Sequence, residues 1–139
     1  MSDAWQAEVL WAGENMFVGS DDSGHSVVYD SSDKNQKGIG PMRALLTSLG
    51  ACSGMDVVAI LKKRRQKLTS LRVGLRGERP EYGYPKPWTS IEVKFFITGD
   101  GLNRSTVDTA VKESMEKFCS VAATLRPGVK ISYTHEIVG

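Results

Sequence analysis

The two cysteines are the residues of this sequence with the clearest capacity for chemistry. Cys52 and Cys119 lie far apart, and their spacing fits neither the disulfide framework of a small secreted domain nor a metal-binding knuckle. Free cysteine is also one of the most buried residue types, so two inert core thiols are the simplest interpretation. If folding brings the sulfurs together, however, one thiol can be oxidised and the other can condense with it. Both interpretations stay open at this point.

A carboxylate accompanies the first cysteine. Asp56 follows Cys52 by four residues, which places both on one face of a helix. A carboxylate inside an apolar stretch needs a partner, and beside a thiol it disfavours the thiolate unless a cation is also present. We therefore expect Asp56 to hold an arginine, and the available candidates are Arg43, Arg76 and Arg79.

Each cysteine is predicted to lie on or beside a helix. Pro41 fits a first helical position, and the apolar residues that follow it to residue 61 occur on every side of the helix, so we expect it to be buried on nearly all sides. One small sheet cannot cover that much apolar surface, and we infer a homodimer with this helix at its centre. Cys119 lies just past a second, amphipathic helix, which Ser105 and Asp108 are predicted to cap.

Alternating apolar and polar residues predict the strands. A three-stranded meander is expected before residue 30, two strands lie around residues 71–76 and 91–98, and a last strand covers residues 129–137. The order β-β-β-α-β-β-α-β lacks regular βαβ alternation, which predicts an α+β fold. The chain has 139 residues, so we expect a single domain, residues 1–139.

Composition argues against several other classes of protein. The 18 Lys and Arg are nearly balanced by 16 Asp and Glu, and the basic stretch at residues 62–65 suits the end of a helix, so no nucleic-acid partner is predicted. No continuous apolar run reaches the length of a membrane span, and the N-terminus lacks a signal-peptide layout, so we expect a cytoplasmic protein with no membrane association. His25 and His135 have no ligand spacing with the cysteines, so we predict no metal site.

Four segments resemble known signatures. Residues 40–58 (GPMRALLTSLGACSGMDVV) and 116–121 (EKFCSV) look like the two cysteine signatures of the OsmC/Ohr family. Residues 78–81 (ERPE), followed by 87–89 (PWT), resemble its OsmC-like branch. The resemblance covers nearly the whole chain in the same order of elements. It implies an OsmC-like fold, an intertwined homodimer with curved antiparallel sheets around two central helices, and no cofactor.

The resemblance also implies a function. Cys52 would reduce small organic hydroperoxides, Cys119 would resolve the resulting sulfenic acid, and an external dithiol would reduce the disulfide. We expect an apolar substrate pocket near the dimer interface, formed by Leu46, Leu49, Met55 and Phe118.

One departure from the family pattern bears on activity. The well-studied peroxidases of the family place a glutamate directly after the proline of the first signature and use an arginine from the N-terminal strands to hold the thiolate. Here Met42 follows the proline, and no arginine precedes Arg43. We expect Arg43 or Arg79 to substitute, with Glu78 or Asp56 as the carboxylate partner. The alternative is a non-catalytic or redox-sensing dimeric binding protein with weak peroxidase activity.

Overall fold

Three antiparallel strands form the sheet of the N-terminal unit. The computed structural model describes residues 4–139, in two units: one ends at Leu45 and the other runs from Leu46 to Gly139. The strands lie in the order β1-β2-β3, with bounds β1 Ala7–Trp11, β2 Met16–Asp21 and β3 Ser26–Asp30. The predicted meander is confirmed.

A long helix, α1, carries the first cysteine. It extends over Pro41–Lys63 and begins at the predicted proline. Its buried residues lie on one face, namely Leu49, Gly50, Ser53, Gly54, Val57 and Leu61. The expectation that α1 is buried on nearly all sides therefore does not hold for a single chain. The opposite face stays exposed because no described element of the second unit covers it, and the side chain of Met55 is 70% exposed.

The sheet of the second unit contains strands of both orientations. It has the order β4-β5-β6, with bounds β4 Lys67–Glu78, β5 Ser90–Asp100 and β6 Lys130–Ile137. Strands β4 and β5 are antiparallel, whereas β5 and β6 are parallel. The expectation of purely antiparallel sheets is therefore wrong for β6. The chain between β5 and β6 crosses over through helices, and such a connection returns a strand in the parallel direction.

The crossover contains three helical segments. They are α2 Arg104–Glu113, a π-helix Ser114–Phe118 and α3 Ser120–Leu125. Asn103, not the predicted Ser105, caps α2, because the backbone of Asn103 is extended and its side chain accepts the Thr106 N–H at 3.0 Å. Ser105 already lies inside the helix. The predicted α+β class is confirmed.

Glycines allow α1 to approach the second sheet closely. A Cβ atom on Gly50 would lie 2.7 Å from Cδ1 of Leu75, well inside van der Waals contact. One turn further, a Cβ atom on Gly54 would meet Val73 at 3.4 Å, an ordinary contact. Leu49, Val57 and Leu61 flank these glycines in the core. The absence of a Cβ atom at these two glycines thus allows α1, the helix of Cys52, to pack closely on strand β4.

Helix α1 is also the one described helix that is long and apolar enough to cross a membrane. The sequence prediction, based on uninterrupted apolar residues, did not identify it. Length and composition alone are weak evidence, because the core helix of a soluble protein passes the same test. Leu49, Val57 and Leu61 are fully buried in the hydrophobic core, so one face of α1 packs as a core helix does.

Candidate functional site

Folding brings together the two thiols that are far apart in sequence. Sγ of Cys52, Sγ of Cys119 and a carboxylate oxygen of Asp56 all lie within 4.8 Å of one another. Cys52 and Asp56 come from consecutive turns of α1, and Cys119 comes from the junction of the π-helix and α3. Both cysteines are free thiols. We call these three residues the thiol cluster.

Burial dominates the environment of Cys119. Its side chain is only 3% exposed, and its Sγ caps α3 by accepting the Ala122 N–H at 3.4 Å. Burial raises the pKa of the Cys119 thiol, the Ala122 N–H lowers it, and the neighbouring Cys52 raises it, so that the pKa reaches about 11. A thiol with that pKa is protonated at neutral pH.

The π-helix determines where Cys119 lies. Its closing hydrogen bond runs from the Cys119 N–H to the Ser114 carbonyl at 2.8 Å, and the backbone of Cys119 is then extended. This interruption ends one helical segment and allows Cys119 to begin the next as its N-cap. Single π-turns inside helices occur frequently at functional sites.

Ser114 connects the crossover with the thiol cluster. Its hydroxyl is fully buried and lies 2.9 Å from the Ser53 carbonyl and 3.3 Å from Oδ2 of Asp56, so both oxygens share one donor. Burial raises the pKa of Asp56, and the Ser114 hydrogen bond partly offsets that rise. Our expectation that Asp56 holds an arginine is not met: its partner is a hydroxyl, because the carboxylate faces the π-helix.

Sequence reasoning overlooked Ser114. It lies three and four residues after Val111 and Ala110, on the apolar stripe of the second predicted helix. A polar residue on an otherwise apolar face is the signal that could have identified it.

The predicted activating side chains have other partners. Nε of Arg79 donates to the Lys86 carbonyl at 2.6 Å, and its guanidinium lies 5.6 Å from the ring centroid of Trp88. Glu78 forms an ion pair with Arg76 at 2.9 Å. None of these contacts of Arg79 and Glu78 involves a residue of the thiol cluster.

The remaining candidate arginine lies at the start of α1. Arg43 is exposed there, nine residues before Cys52, which corresponds to about 13 Å along a helix axis. Among the ion pairs of residues 4–139, none includes Asp56. The activating roles of Arg43 and Arg79 therefore stay predictions without a supporting contact.

The four predicted pocket residues have different environments. Leu49 has no exposed surface and is a core residue, so it lines no open pocket in this chain. Leu46 is partly buried beside Gly77. Met55 and Phe118, at 70% and 47% exposure, present apolar surface next in sequence to the thiol cluster. A separate groove of about 390 Å³ on the second sheet is lined by other residues, among them Arg72, Phe96 and Tyr133.

Both histidines lie outside the thiol cluster. Nε2 of His135 contacts Asp108 at 2.7 Å, and Nδ1 of His25 contacts the Ser23 hydroxyl at 2.9 Å. The side chains that share a metal-ligand geometry are instead the two cysteines and Asp56. Two thiols and a carboxylate can undergo disulfide chemistry, transfer a proton or bind a thiophilic cation.

Comparison with known proteins places this chain in a family. Residues 33–134 match the family model described as OsmC-like protein. The chain is 39% identical over 133 residues to Protein YhfA of Escherichia coli (strain K12), which covers 96% of this chain and 98% of that protein.

Two solved structures extend the comparison. A hypothetical protein from Aquifex aeolicus VF5 is 34% identical, with a TM-score of 0.82 over 99% of this chain and 100% of that chain. The organic hydroperoxide resistance protein OhrB of Bacillus subtilis shares the fold at 16% identity, with a TM-score of 0.63 over 96% of this chain and 98% of that one. The chain therefore belongs to the OsmC-like family, as its cysteine signatures indicate.

Proposed function

We propose that this protein is a thiol-dependent peroxidase that reduces small organic hydroperoxides. The proposal depends on one observation, that the sulfurs of Cys52 and Cys119 lie within 4.8 Å of each other in the folded chain. Membership of a family whose fold is shared by an organic hydroperoxide resistance protein supports the same chemistry.

Exposure separates the roles of the two cysteines. Cys52 is half-buried, whereas Cys119 is 3% exposed and engaged as a helix cap. A peroxide reaches Cys52 more readily, so Cys52 is the attacking thiol and Cys119 is the resolving thiol. Met55 and Phe118 offer apolar surface to the organic group of the peroxide.

The reaction proceeds in three balanced steps. Cys52 gives up its thiol proton, and its thiolate attacks the terminal peroxide oxygen. The O–O bond breaks, the departing alkoxide takes up that proton and leaves as the alcohol, and Cys52 becomes a sulfenic acid. The Cys119 thiol then displaces the sulfenic oxygen, which departs as water while the S–S bond forms. An external dithiol reduces the disulfide by exchange and is itself oxidised.

We assign the proton transfers in these steps to Asp56. Its carboxylate lies within 4.8 Å of both sulfurs. Because burial raises its pKa, Asp56 is a better proton carrier near neutral pH than an exposed aspartate. It can take the proton of the Cys119 thiol, which is otherwise retained at a pKa of about 11, and pass it to the departing oxygen.

A second candidate function is a redox sensor or binding protein of the same fold. The observation in its favour is that the carboxylate of the thiol cluster is hydrogen-bonded to Ser114 and takes part in no ion pair of the described chain. Without a cation a thiolate is poorly stabilised, and its reaction with peroxide is slow.

The exposed face of α1 supports a homodimer as part of the proposal. Met55 is 70% exposed and Val58 39% exposed on a helix whose other face forms the core. A second copy of the chain covers such a surface at a two-fold axis and can bring a guanidinium such as that of Arg43 to the thiol cluster. We include a cytoplasmic location in the proposal, where a reducing environment keeps such cysteines as thiols.

Peroxide treatment followed by mass measurement tests the proposal. The reduced protein, treated with an organic hydroperoxide, is expected to lose two hydrogens rapidly and to form the Cys52–Cys119 disulfide. Cys119→Ser is expected to hold a sulfenic acid on Cys52, which dimedone traps. Cys52→Ser is the matched control and gains no adduct. An unchanged mass of the wild-type protein favours the non-catalytic binding role instead.

A further inference from the structure

The thiol cluster also has the composition and size of a metal site. It provides two sulfur ligands and one carboxylate oxygen, all within 4.8 Å of one another. In tetrahedral Zn²⁺ sites the metal lies about 2.3 Å from sulfur and about 2.0–2.2 Å from oxygen, which sets the ligand atoms about 3.6–3.8 Å apart. Closing the cluster onto an ion thus requires these ligand atoms to approach one another by at most about 1 Å.

The ligand types point to one kind of cation. Thiolates select Zn²⁺, Cu(I) and similar ions over Mg²⁺ and Ca²⁺, which prefer oxygen ligands. The carboxylate favours Zn²⁺ over the softer Cu(I), because Zn²⁺ accepts carboxylate, imidazole and thiolate ligands alike.

The surroundings of the ligands suit a metal site. Ser114 contacts Asp56 at 3.3 Å and fixes the orientation of the carboxylate, as hydrogen-bonded neighbours do for metal ligands in general. The cluster brings together two thiols and a carboxylate. Among residues 4–139, no cationic side chain forms an ion pair with Asp56. A divalent cation bound by the two sulfurs and the carboxylate oxygen would supply positive charge to this arrangement.

We propose that Cys52, Cys119 and Asp56 bind one Zn²⁺ ion per chain, with water as the fourth ligand, and that this state and the disulfide are mutually exclusive. Binding displaces the thiol protons, and Zn²⁺ then occupies the sulfur electron pairs that disulfide formation requires. Zinc therefore protects the reduced site from hydroperoxides. The metal-binding step requires no peroxidase turnover, so it extends beyond the proposed function.

The proposal is tested with the full chain, reduced and freed of metal by a chelator. Zn²⁺ is titrated at neutral pH against a chromophoric chelator, and Co²⁺ is used as a spectroscopic probe for thiolate-to-metal charge transfer. The expected result is one ion per chain and a charge-transfer band that weakens in Cys52→Ser and in Cys119→Ser.

Asp56→Asn is the decisive variant, because it keeps both thiols and the side-chain volume. Its affinity for Zn²⁺ is expected to fall by about tenfold or more, as when a supporting metal contact is lost. Asp100→Asn makes the same chemical change at an exposed strand end and is expected to bind as the wild type does. Oxidised protein with the Cys52–Cys119 disulfide is expected to bind no Zn²⁺.

Three results overturn the metal site: no Zn²⁺ uptake by the reduced wild type, equal affinity in Asp56→Asn, or equal affinity in the disulfide form. None of these measurements uses a peroxide, so they leave the peroxidase proposal intact. Conversely, a protein that binds Zn²⁺ but does not react with hydroperoxides contradicts the proposed function alone.

Discussion

The hydroxyl of Ser114 lies 3.3 Å from the carboxylate of Asp56, which joins the π-helix to α1 directly beside the two sulfurs. The same hydroxyl lies 2.9 Å from the Ser53 carbonyl. One buried side chain therefore holds in place the helix that carries Cys52 and the segment that leads to Cys119. Four predictions follow from this arrangement and from the packing around it.

Replacing Ser114 with alanine is expected to destabilise the fold. Ser114→Ala leaves the Ser53 carbonyl and the Asp56 carboxylate without their shared donor, at a cost of about 1–3 kcal/mol in the free energy of unfolding. Urea unfolding at neutral pH measures this change. Ser105→Ala, at an exposed position in the first turn of α2, is the control and is expected to change stability little. Equal stabilities of the two variants would show that Ser114 does not join the two segments.

The stability of the reduced protein is expected to fall as the pH rises from about 9 to about 11. The pKa of Cys119 is raised from 9.0 to about 11, chiefly by burial, so the folded state retains a proton that the unfolded chain releases. The resulting stability is complete below pH 9 and is lost as the pH passes 11. The free energy of unfolding, measured across this pH range in wild type and Cys119→Ala, tests whether stability falls with pH because of Cys119.

Titration of Tyr133 also affects stability at high pH, so its contribution must be excluded from the comparison of wild type and Cys119→Ala. Its pKa is raised to about 12, first by burial and then by its hydrogen bond to Glu116, and it contributes a loss of the same sign at higher pH. Both proteins are therefore measured in a Tyr133→Phe background. A stability profile that is equally steep with and without Cys119 would contradict the assignment.

Two glycines of α1 are expected to respond differently to alanine. At Gly54 the new Cβ meets Val73 at an ordinary distance, so Gly54→Ala is expected to stabilise by about 0.5–1 kcal/mol through helix propensity. At Gly50 the new Cβ lies 2.7 Å from Leu75, and overpacking at a cost of about 1–3 kcal/mol outweighs that gain. Thermal unfolding of the two variants provides the comparison, and the opposite order would exclude close packing at Gly50.

The two thiols are expected to differ in their rates of alkylation. Cys119 is 3% exposed and protonated at neutral pH, whereas Cys52 is half-buried. Iodoacetamide is therefore expected to modify Cys52 first, because alkylation requires an accessible thiolate. Peptide mass mapping over time follows both sites. Faster labelling of Cys119 would reverse the proposed attacking and resolving roles.

Local patterns predicted the elements well and their assembly less well. Alternation and turn residues located the six strands, and Pro41 marked the start of α1, because these signals lie within a few neighbouring residues. The parallel pairing of β6 and the π-helix before Cys119 depend instead on how the crossover packs against α1 and the sheet. No spacing of apolar residues encodes either feature.

The candidate site shows the same difference between features that local sequence predicts and contacts that depend on tertiary packing. The two cysteines were predicted from residue type and from the family signatures, and Asp56 from its helical spacing. The expected arginine partner of Asp56 is not found among residues 4–139 of the single chain, where Ser114 contacts the carboxylate, because that choice depends on which element faces it. A contact between segments 58 residues apart cannot be read from local sequence.

The crossover that carries Cys119 has a consequence for biosynthesis. Strand β6, at the C-terminal end of the described chain, pairs with β5 only after the crossover has been synthesised. A nascent chain therefore exposes Cys52 before its sulfur partner has a defined position, and contacts between such distant residues form slowly. If the proposed roles hold, an oxidant present during translation meets Cys52 while Cys119 is not yet beside it, so we expect overoxidation of Cys52 to be faster in the unfinished chain than in the folded protein.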